Sequence, residues 1–220
     1  MHESPERCGD SQTHRSSLGA SMKRLELPRL YLGTMTLGWS QASSYVDATT
    51  AATMFQAFRT STSNIRVDTA RIYAGGQTEP IVREALHRAK LQDMASIGSK
   101  AHPSQPGGLS PQGITSQFAA SCNALGVDRL AEFFLHQPDT ENNLLASLVA
   151  VDALVRDGKV GEIGMSNYHA SEVARAMALC DAHKLAKPTV YQGLYNPLNR
   201  KVEEELLPVL RQHGCAFIAY

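Results

Sequence analysis

The sequence lacks an excess of charge of either sign. Its 220 residues carry 21 lysines and arginines against 21 aspartates and glutamates. A chain without net charge creates no field that would concentrate a nucleic acid or hold the protein on an acidic membrane surface. We therefore expect a ligand that is not a polyelectrolyte, with neither nucleic acid nor membrane as a partner.

Long apolar runs and paired cysteines are also missing. No run approaches the roughly 18 to 20 residues that a membrane-spanning helix requires. Cys8, Cys122, Cys180 and Cys215 are scattered and form neither a C-x-x-C pair nor a disulfide framework. This pattern favours a reducing compartment, and we expect a cytoplasmic protein. The histidines at 14, 87, 169 and 183 share no metal-ligand spacing, so no metal site is predicted.

The N-terminal segment has the composition of a tail. The stretch MHESPERCGDSQTHRSSLGAS is polar and lacks the apolar region of a signal peptide, while Glu3, Glu6 and Asp10 argue against a transit peptide. We expect residues 1–24 to be disordered and residues 25–220 to form one domain. Translation starting at Met22 is an alternative.

From residue 28 onward, strand-like and helix-like segments alternate. Apolar runs typical of strands occupy residues 29–34, 65–70, 95–100, 130–136, 160–166, 188–193 and 215–220. Six helix-like runs lie between them, and the last covers residues 201–214. Strict alternation of this kind predicts parallel strands joined by helical crossovers, and therefore an α/β fold.

Two α/β architectures compete for this pattern. A doubly wound sheet that binds a dinucleotide should carry G-x-G-x-x-G after its first strand. Here the first strand is followed by GTMTLGWSQ, whose glycines, Gly33 and Gly38, do not have that spacing. A (β/α)₈ barrel instead places reactive side chains at the carboxyl ends of several strands. We predict such a barrel, with about seven strands and six helices present in this chain.

Polar residues do end the predicted strands. They are Asp68, Lys100, His136, Ser166 with Asn167, and Gln192. Taken singly, Asp68 is explained equally well as a turn cap and His136 as a satisfied edge histidine, and a solvated strand end is the better explanation of Lys100. On a barrel, however, all of these ends meet around one mouth, and the coincidence of so many polar ends favours a common site.

Such a set of side chains suits the protonation of a carbonyl oxygen. The phenol of Tyr73, five residues after Asp68, is a weak acid with an ordinary pKa of about 10. A nearby ammonium such as that of Lys100 should lower this pKa, and a carboxylate beside the lysine would hold it in position. None of these side chains can supply a hydride, so a nicotinamide cofactor is the expected donor.

Five motifs in this order resemble the aldo-keto reductase superfamily, and most closely its aflatoxin B1 aldehyde reductase branch. They are VDTARIYAGGQTE, GSKAHP, FFLHQPD, GEIGMSNY and PTVYQGLYNPLNRKVEEELLPVLRQHG, and the resemblance covers roughly residues 29–220. It implies a barrel that uses NADPH to reduce aldehydes and ketones, including dialdehydes, diketones and succinic semialdehyde. This branch forms dimers, which implies a homodimer here.

The resemblance also implies a role for each site residue. Asp68, Tyr73, Lys100 and His136 match the catalytic residues, with Tyr73 as the proton donor. Ser166, Asn167 and Gln192 match the residues that hold the nicotinamide carboxamide. Tyr220 matches the aromatic residue on which the nicotinamide ring stacks. Trp39 and His136 are the expected substrate contacts.

Family members continue past the segment that matches FIAY. We therefore expect the barrel to lack its eighth strand and most of the site for the adenosine phosphate of NADPH, which would leave strands one and seven as open edges. The favoured interpretation is a fragment of a longer enzyme. The alternative function is a non-catalytic regulatory or scaffold protein, as in potassium-channel β subunits, which keep this barrel.

Overall fold

The structure is a computed structural model that describes residues 29–62 and 64–220; the predicted tail, residues 1–24, lies outside these ranges. The described residues form seven strands: β1 Tyr31–Gly33, β2 Ile65–Asp68, β3 Ala95–Ala101, β4 Leu130–Leu135, β5 Val160–Ser166, β6 Pro188–Gly193 and β7 Ala216–Ala219. Six α-helices follow them: α1 Ala48–Ser61, α2 Thr78–Ala89, α3 Pro111–Leu125, α4 Leu144–Arg156, α5 Ala170–His183 and α6 Leu206–Gln212.

The strands form one parallel sheet in chain order, from β1 to β7. Every strand therefore pairs with its neighbour in sequence, which is the order of a (β/α) barrel and not of a doubly wound sheet, whose strand order reverses at its centre. The predicted fold class is confirmed. Among the described residues the sheet does not close, and β1 and β7 are its two edges, as expected for a barrel short of one strand.

Successive side chains on each strand point to opposite faces of the sheet. Val67 and Phe133 point outward and are fully buried in the apolar layer between the sheet and the helices. The inner face carries charged and polar side chains beside Phe134. There the Glu132 carboxylate accepts hydrogen bonds from Tyr31 at 3.0 Å and from Arg66 at 2.7 Å, which connects β4 to β1 and β2 across the sheet.

Helix ends follow local side-chain chemistry. The Asp47 carboxylate accepts a hydrogen bond of 2.8 Å from the backbone N–H of Thr50 and begins α1, and Asn143 begins α4 in the same way. Lys90 ends α2 in a left-handed conformation with φ of 59°. No helix in the described ranges is both long and apolar enough to cross a bilayer.

The last helix is shorter than the sequence predicts. Instead of one helix over residues 201–214, a 3₁₀ turn covers Lys201–Glu203 and α6 begins only at Leu206. Pro208 explains the difference, because proline has no N–H and its ring collides with the carbonyl four residues earlier in a helix. It is tolerated in the first turn of α6 but not in the middle of a longer helix.

The contact between Gly164 in β5 and Phe134 in β4 gives the first testable prediction. A Cβ at Gly164 would lie 2.2 Å from the Phe134 ring. Gly164→Ala should therefore lower the free energy of unfolding by about 1–3 kcal/mol, measured by urea denaturation. Gly33→Ala is the matched control, since nothing lies within 4 Å of its added Cβ. Equal stability of the two variants would contradict this account of the packing.

Candidate active site

Lys100 lies at the centre of the candidate site. Its side chain is fully buried inside the sheet, near the carboxyl end of β3. The ammonium donates hydrogen bonds to a carboxylate oxygen of Asp68 at 2.7 Å, to the Thr69 carbonyl at 2.9 Å and to the Tyr73 hydroxyl at 3.2 Å. It also lies 5.6 Å from the centre of the Phe134 ring. A lysine ammonium has three N–H donors, and each of them is matched to an oxygen.

These partners keep the lysine charged. Burial alone would lower the pKa of Lys100, but the charges of Asp68 and Tyr73 and their hydrogen bonds outweigh burial, so the pKa is raised above its usual 10.5. The ion pair with Asp68 is thus what allows a positive charge in this interior.

Tyr73 reaches the lysine from a tight turn between β2 and α2. The turn, Tyr73–Gly76, is kinked, because Ala74 and Gly75 have left-handed backbone conformations. Burial raises the pKa of the Tyr73 phenol above 10, and the nearby Lys100 charge opposes this without reversing it. The sequence-based expectation of a lowered pKa is wrong for the protein alone, because desolvation of the phenolate is the larger effect.

His136 completes the group immediately after β4. Its backbone N–H donates to the Ala101 carbonyl at 2.9 Å, and its ring meets that of Tyr73 edge to face, with centroids 5.8 Å apart. The His102 ring also meets it edge to face, with centroids 5.0 Å apart. Burial, the Lys100 charge and His102 together lower the pKa of His136 to about 3, so its imidazole is neutral at physiological pH. Among the described residues its Nδ1 has no hydrogen-bond partner.

A second group of predicted residues lies at the ends of β5, β6 and β7. Ser166 and Gln192 are register partners on adjacent strands, and both are buried. Asn167 has a left-handed φ of 62°. Its amide nitrogen donates to the His136 carbonyl at 2.9 Å, and its amide oxygen accepts from the Tyr220 hydroxyl at 2.9 Å. Asn167 therefore links this group to the first one.

Two cavities adjoin these groups. One, of about 380 Å³, is lined by Trp39, Met35 and Tyr73 between the loop after β1 and the Tyr73 turn. The other, of about 460 Å³, is lined by Asn167 and Tyr220 among others. The structure thus brings Asp68, Tyr73, Lys100 and His136 into one cluster and connects the second group to it, whereas Trp39 joins them only through the cavity wall.

Sequence reasoning missed two charged residues beside the site. Arg71 and Glu79 form an ion pair around the Tyr73 turn, and Glu79 is fully buried. Glu79 lies in the first turn of α2, where an acidic residue is ordinarily explained by the helix dipole, so the sequence gave no reason to single it out. The one sequence feature that could have indicated the ion pair is Arg71, two residues before Tyr73.

The protein family can now be identified from comparison with known sequences. The sequence model of the Aldo/keto reductase family matches residues 29–220, which include every described residue. The chain belongs to the aldo/keto reductase family. All the residues of both groups fall inside the matched region.

Individual aldo/keto reductases give the same result. The chain is 36% identical over 211 residues to aflatoxin B1 aldehyde reductase member 2 of Rattus norvegicus, covering 96% of this chain and 55% of the relative. It is 37% identical to aflatoxin B1 aldehyde reductase member 4 of Homo sapiens, covering 88% of this chain and 57% of the relative. The chain thus spans little more than half the length of these relatives.

Solved structures agree on the fold. An aldo/keto reductase from Klebsiella pneumoniae, crystallised in complex with NADP and acetate, superposes with a TM-score of 0.72 at 25% identity over 86% of this chain and 62% of that one. A thermostable aldo-keto reductase in complex with the inhibitor epalrestat superposes with a TM-score of 0.74, also at 25% identity, over 88% of this chain and 68% of that one.

The buried Lys100 ammonium gives a prediction about stability. Asp68→Asn removes the partner charge, and we expect it to lower the free energy of unfolding by about 3 kcal/mol at neutral pH. In that variant burial dominates, so the Lys100 pKa falls below its unfolded value. The unfolded state of the variant then binds more protons than its folded state. The difference in the free energy of unfolding between variant and parent should therefore narrow as the pH is raised toward 10.5.

Urea denaturation at neutral pH and near pH 10 measures both effects. The matched control is Asp157→Asn, which breaks the exposed pair of Asp157 with Lys159, at 3.4 Å. That change should alter stability by no more than about 1 kcal/mol. If the two variants had equal effects, the Lys100 site would not depend on the charge of Asp68.

Proposed function

We propose that this chain is part of an NADPH-dependent reductase of aldehydes and ketones in which Tyr73 donates the proton. The observation that carries the proposal is the Lys100 ammonium, bonded at once to Asp68 and to the Tyr73 hydroxyl, with the His136 ring beside the phenol. The ammonium stabilises the phenolate that proton donation leaves behind, while burial keeps the pKa of the free phenol above 10.

The proton transfer follows from these contacts. As a carbonyl oxygen gains negative charge, the Tyr73 hydroxyl gives it a proton, and the resulting phenolate is stabilised by the hydrogen bond and charge of Lys100. Asp68 keeps the lysine charged and oriented. The neutral His136 ring donates a hydrogen bond to the same oxygen, with its proton on Nε2. That tautomer leaves only a lone pair at the buried Nδ1, and an unpartnered lone pair is better tolerated than an unpartnered N–H.

The second group of residues fits a nicotinamide ring with its carboxamide. The Gln192 side chain is buried at the end of β6 beside Ser166 of β5, where its amide can bind another amide. The Ser166 hydroxyl accepts from Asn167 at 3.1 Å and keeps its own proton to donate. Tyr220 is 57% exposed, and its ring offers a surface for stacking. NADPH bound here supplies the hydride that these side chains cannot.

Asn167 fits less simply, because its amide oxygen already accepts the Tyr220 hydroxyl. It can hold a carboxamide only if that contact is exchanged, so in the proposal Ser166 and Gln192 are the primary partners. The substrate class is inferred from the relatives, which are named as aldehyde reductases, and from the apolar residues Met35, Trp39 and Ile72 in the cavity beside Tyr73. The scaffold alternative gains no observation in its favour.

The proton-donor role predicts the effect of one substitution. Tyr73→Phe removes the hydroxyl and should lower kcat for carbonyl reduction by about 10² to 10⁴-fold, while NADPH binding is retained. Consumption of NADPH, followed by its absorbance with an aldehyde substrate, measures the first effect, and quenching of protein fluorescence measures the second.

Tyr45→Phe is the control, because Tyr45 is 62% exposed and lies outside the cluster. It should behave as the parent protein does. Normal turnover of the Tyr73→Phe protein would refute the assignment of the proton donor. A parent chain that binds NADPH and reduces no carbonyl compound would refute the proposed activity.

The pH dependence of turnover gives a separate prediction. The donor must be protonated, and the pKa of Tyr73 is raised above 10; His136 must be neutral, and its pKa is about 3. Neither group therefore changes its protonation across the neutral range, and kcat/KM should be constant between about pH 5 and pH 9. A loss of kcat/KM on the acidic side near pH 6.5, the ordinary histidine value, would contradict the buried neutral state of His136.

A further inference from the structure

The backbone conformation of the turn that carries Tyr73 depends on contacts outside the turn. Three successive residues have positive φ: Ala74 at 47°, Gly75 at 62° and Gly76 at 90°. Alanine rarely adopts this conformation, and such segments persist only where the surrounding structure fixes them. The hydrogen bonds within the turn are local, from Gly75 to Ile72 and from Gln77 to Ala74, each at 3.2 Å. The turn therefore needs an anchor outside itself.

Arg71 and Glu79 supply this anchor. The Arg71 guanidinium donates to the Glu79 carboxylate through one nitrogen and to the Gly76 carbonyl, at 3.2 Å, through another. The start and the end of the turn are thus joined through one planar group, which is the geometry for which arginine is suited. The fit at Gly76 is close, because an added Cβ there would lie 2.1 Å from the Arg71 guanidinium.

Glu79 is itself fixed from the opposite side. Its carboxylate is fully buried, and its second oxygen accepts a hydrogen bond of 2.8 Å from the Ser99 hydroxyl. Ser99 lies next to Lys100 in β3 but points to the outer face of the sheet, where it also contacts Ser121 of α3 at 3.3 Å. The ion pair therefore anchors the turn to the same strand that presents the lysine.

We propose that Arg71 and Glu79 are positioning residues that hold the Tyr73 hydroxyl against the Lys100 ammonium. The hydroxyl is 3.2 Å from the ammonium, and the backbone N–H of Arg71 donates to the Lys100 carbonyl at 3.4 Å. Both ends of the turn are thus hydrogen-bonded to β3, at Lys100 through Arg71 and at Ser99 through Glu79. Release of either end would let the phenol move away from the lysine. The kinetic part of this inference rests on the proposed function, and the structural part does not.

The test uses a signal from Tyr73 that requires no turnover. In the full chain labelled with ¹³Cζ-tyrosine, the Tyr73 resonance is assigned by its loss in Tyr73→Phe. Lys100→Met then gives its position without the ammonium. In Glu79→Gln, which preserves the shape and the Ser99 contact but removes the charge, the resonance should move toward the Lys100→Met position. Arg71→Met should move it in the same direction.

Glu84→Gln is the matched control on the same helix, because Glu84 forms an exposed pair with Arg88 at 2.8 Å and is remote from the turn. It should leave the Tyr73 resonance unchanged. Arg71→Met leaves the buried Glu79 charge unpaired and can impair folding. The double variant Arg71→Met/Glu79→Gln leaves no unpaired charge, and it should show the same shift as the single variants while retaining the fold.

The kinetic readout separates positioning from general stability. Displacement of the donor by about 1 Å should lower kcat about 100-fold with little change in KM. An unchanged Tyr73 resonance in the folded Glu79→Gln protein or the folded double variant would overturn the proposal. If the parent chain reduces no carbonyl compound, the proposed function fails, and the resonance comparison still decides whether the ion pair positions Tyr73.

Discussion

A fully buried ammonium requires a partner for each of its N–H groups, and in this protein the partners of Lys100 hold the end of β2 and the turn after it against β3. The carboxylate of Asp68 comes from the end of β2, the carbonyl of Thr69 from the residue after it, and the hydroxyl of Tyr73 from the turn that follows. An uncompensated charge in this interior would cost several kcal/mol, so these segments are held together by the same group that the proposed chemistry uses. The candidate site and the local fold therefore share one electrostatic constraint.

Strand β3 takes part in hydrogen-bond networks on both faces of the sheet. Because side chains alternate along a strand, Lys100 points to the polar interior while Ser99 points to the helix layer. The inner network ends at the Tyr73 hydroxyl, and the outer one ends at the guanidinium of Arg71, two residues before it in sequence. A displacement of β3 would therefore change both the acid strength of the phenol and the support of its turn.

The sequence alone predicted the seven strands and their polar ends because both depend on local patterns, namely short apolar runs and the residue that follows each of them. The convergence of Asp68, Lys100 and His136 then followed from parallel topology. Contacts between distant residues were not predictable in this way: the bond from Tyr31 to Glu132 joins positions 101 residues apart. The sign of the Tyr73 pKa shift was also out of reach, since it depends on how much water the packed turn excludes. These properties arise only when the chain is folded.

The sequential strand order has a consequence for how local stability is distributed. Each strand is held by its immediate neighbours in the chain, and the described sheet has two unpaired edges, β1 and β7. In such an arrangement protection against opening is lowest at the edges and highest at the centre, as in structures built from nearest-neighbour contacts. Lys100 and His136 belong to β3 and to the end of β4, near the middle of the seven strands, whereas Tyr220 directly follows an edge. The ammonium that binds Tyr73 thus lies in the most persistent part of the described sheet, and the exposed side chain of Tyr220 lies at its most readily opened margin.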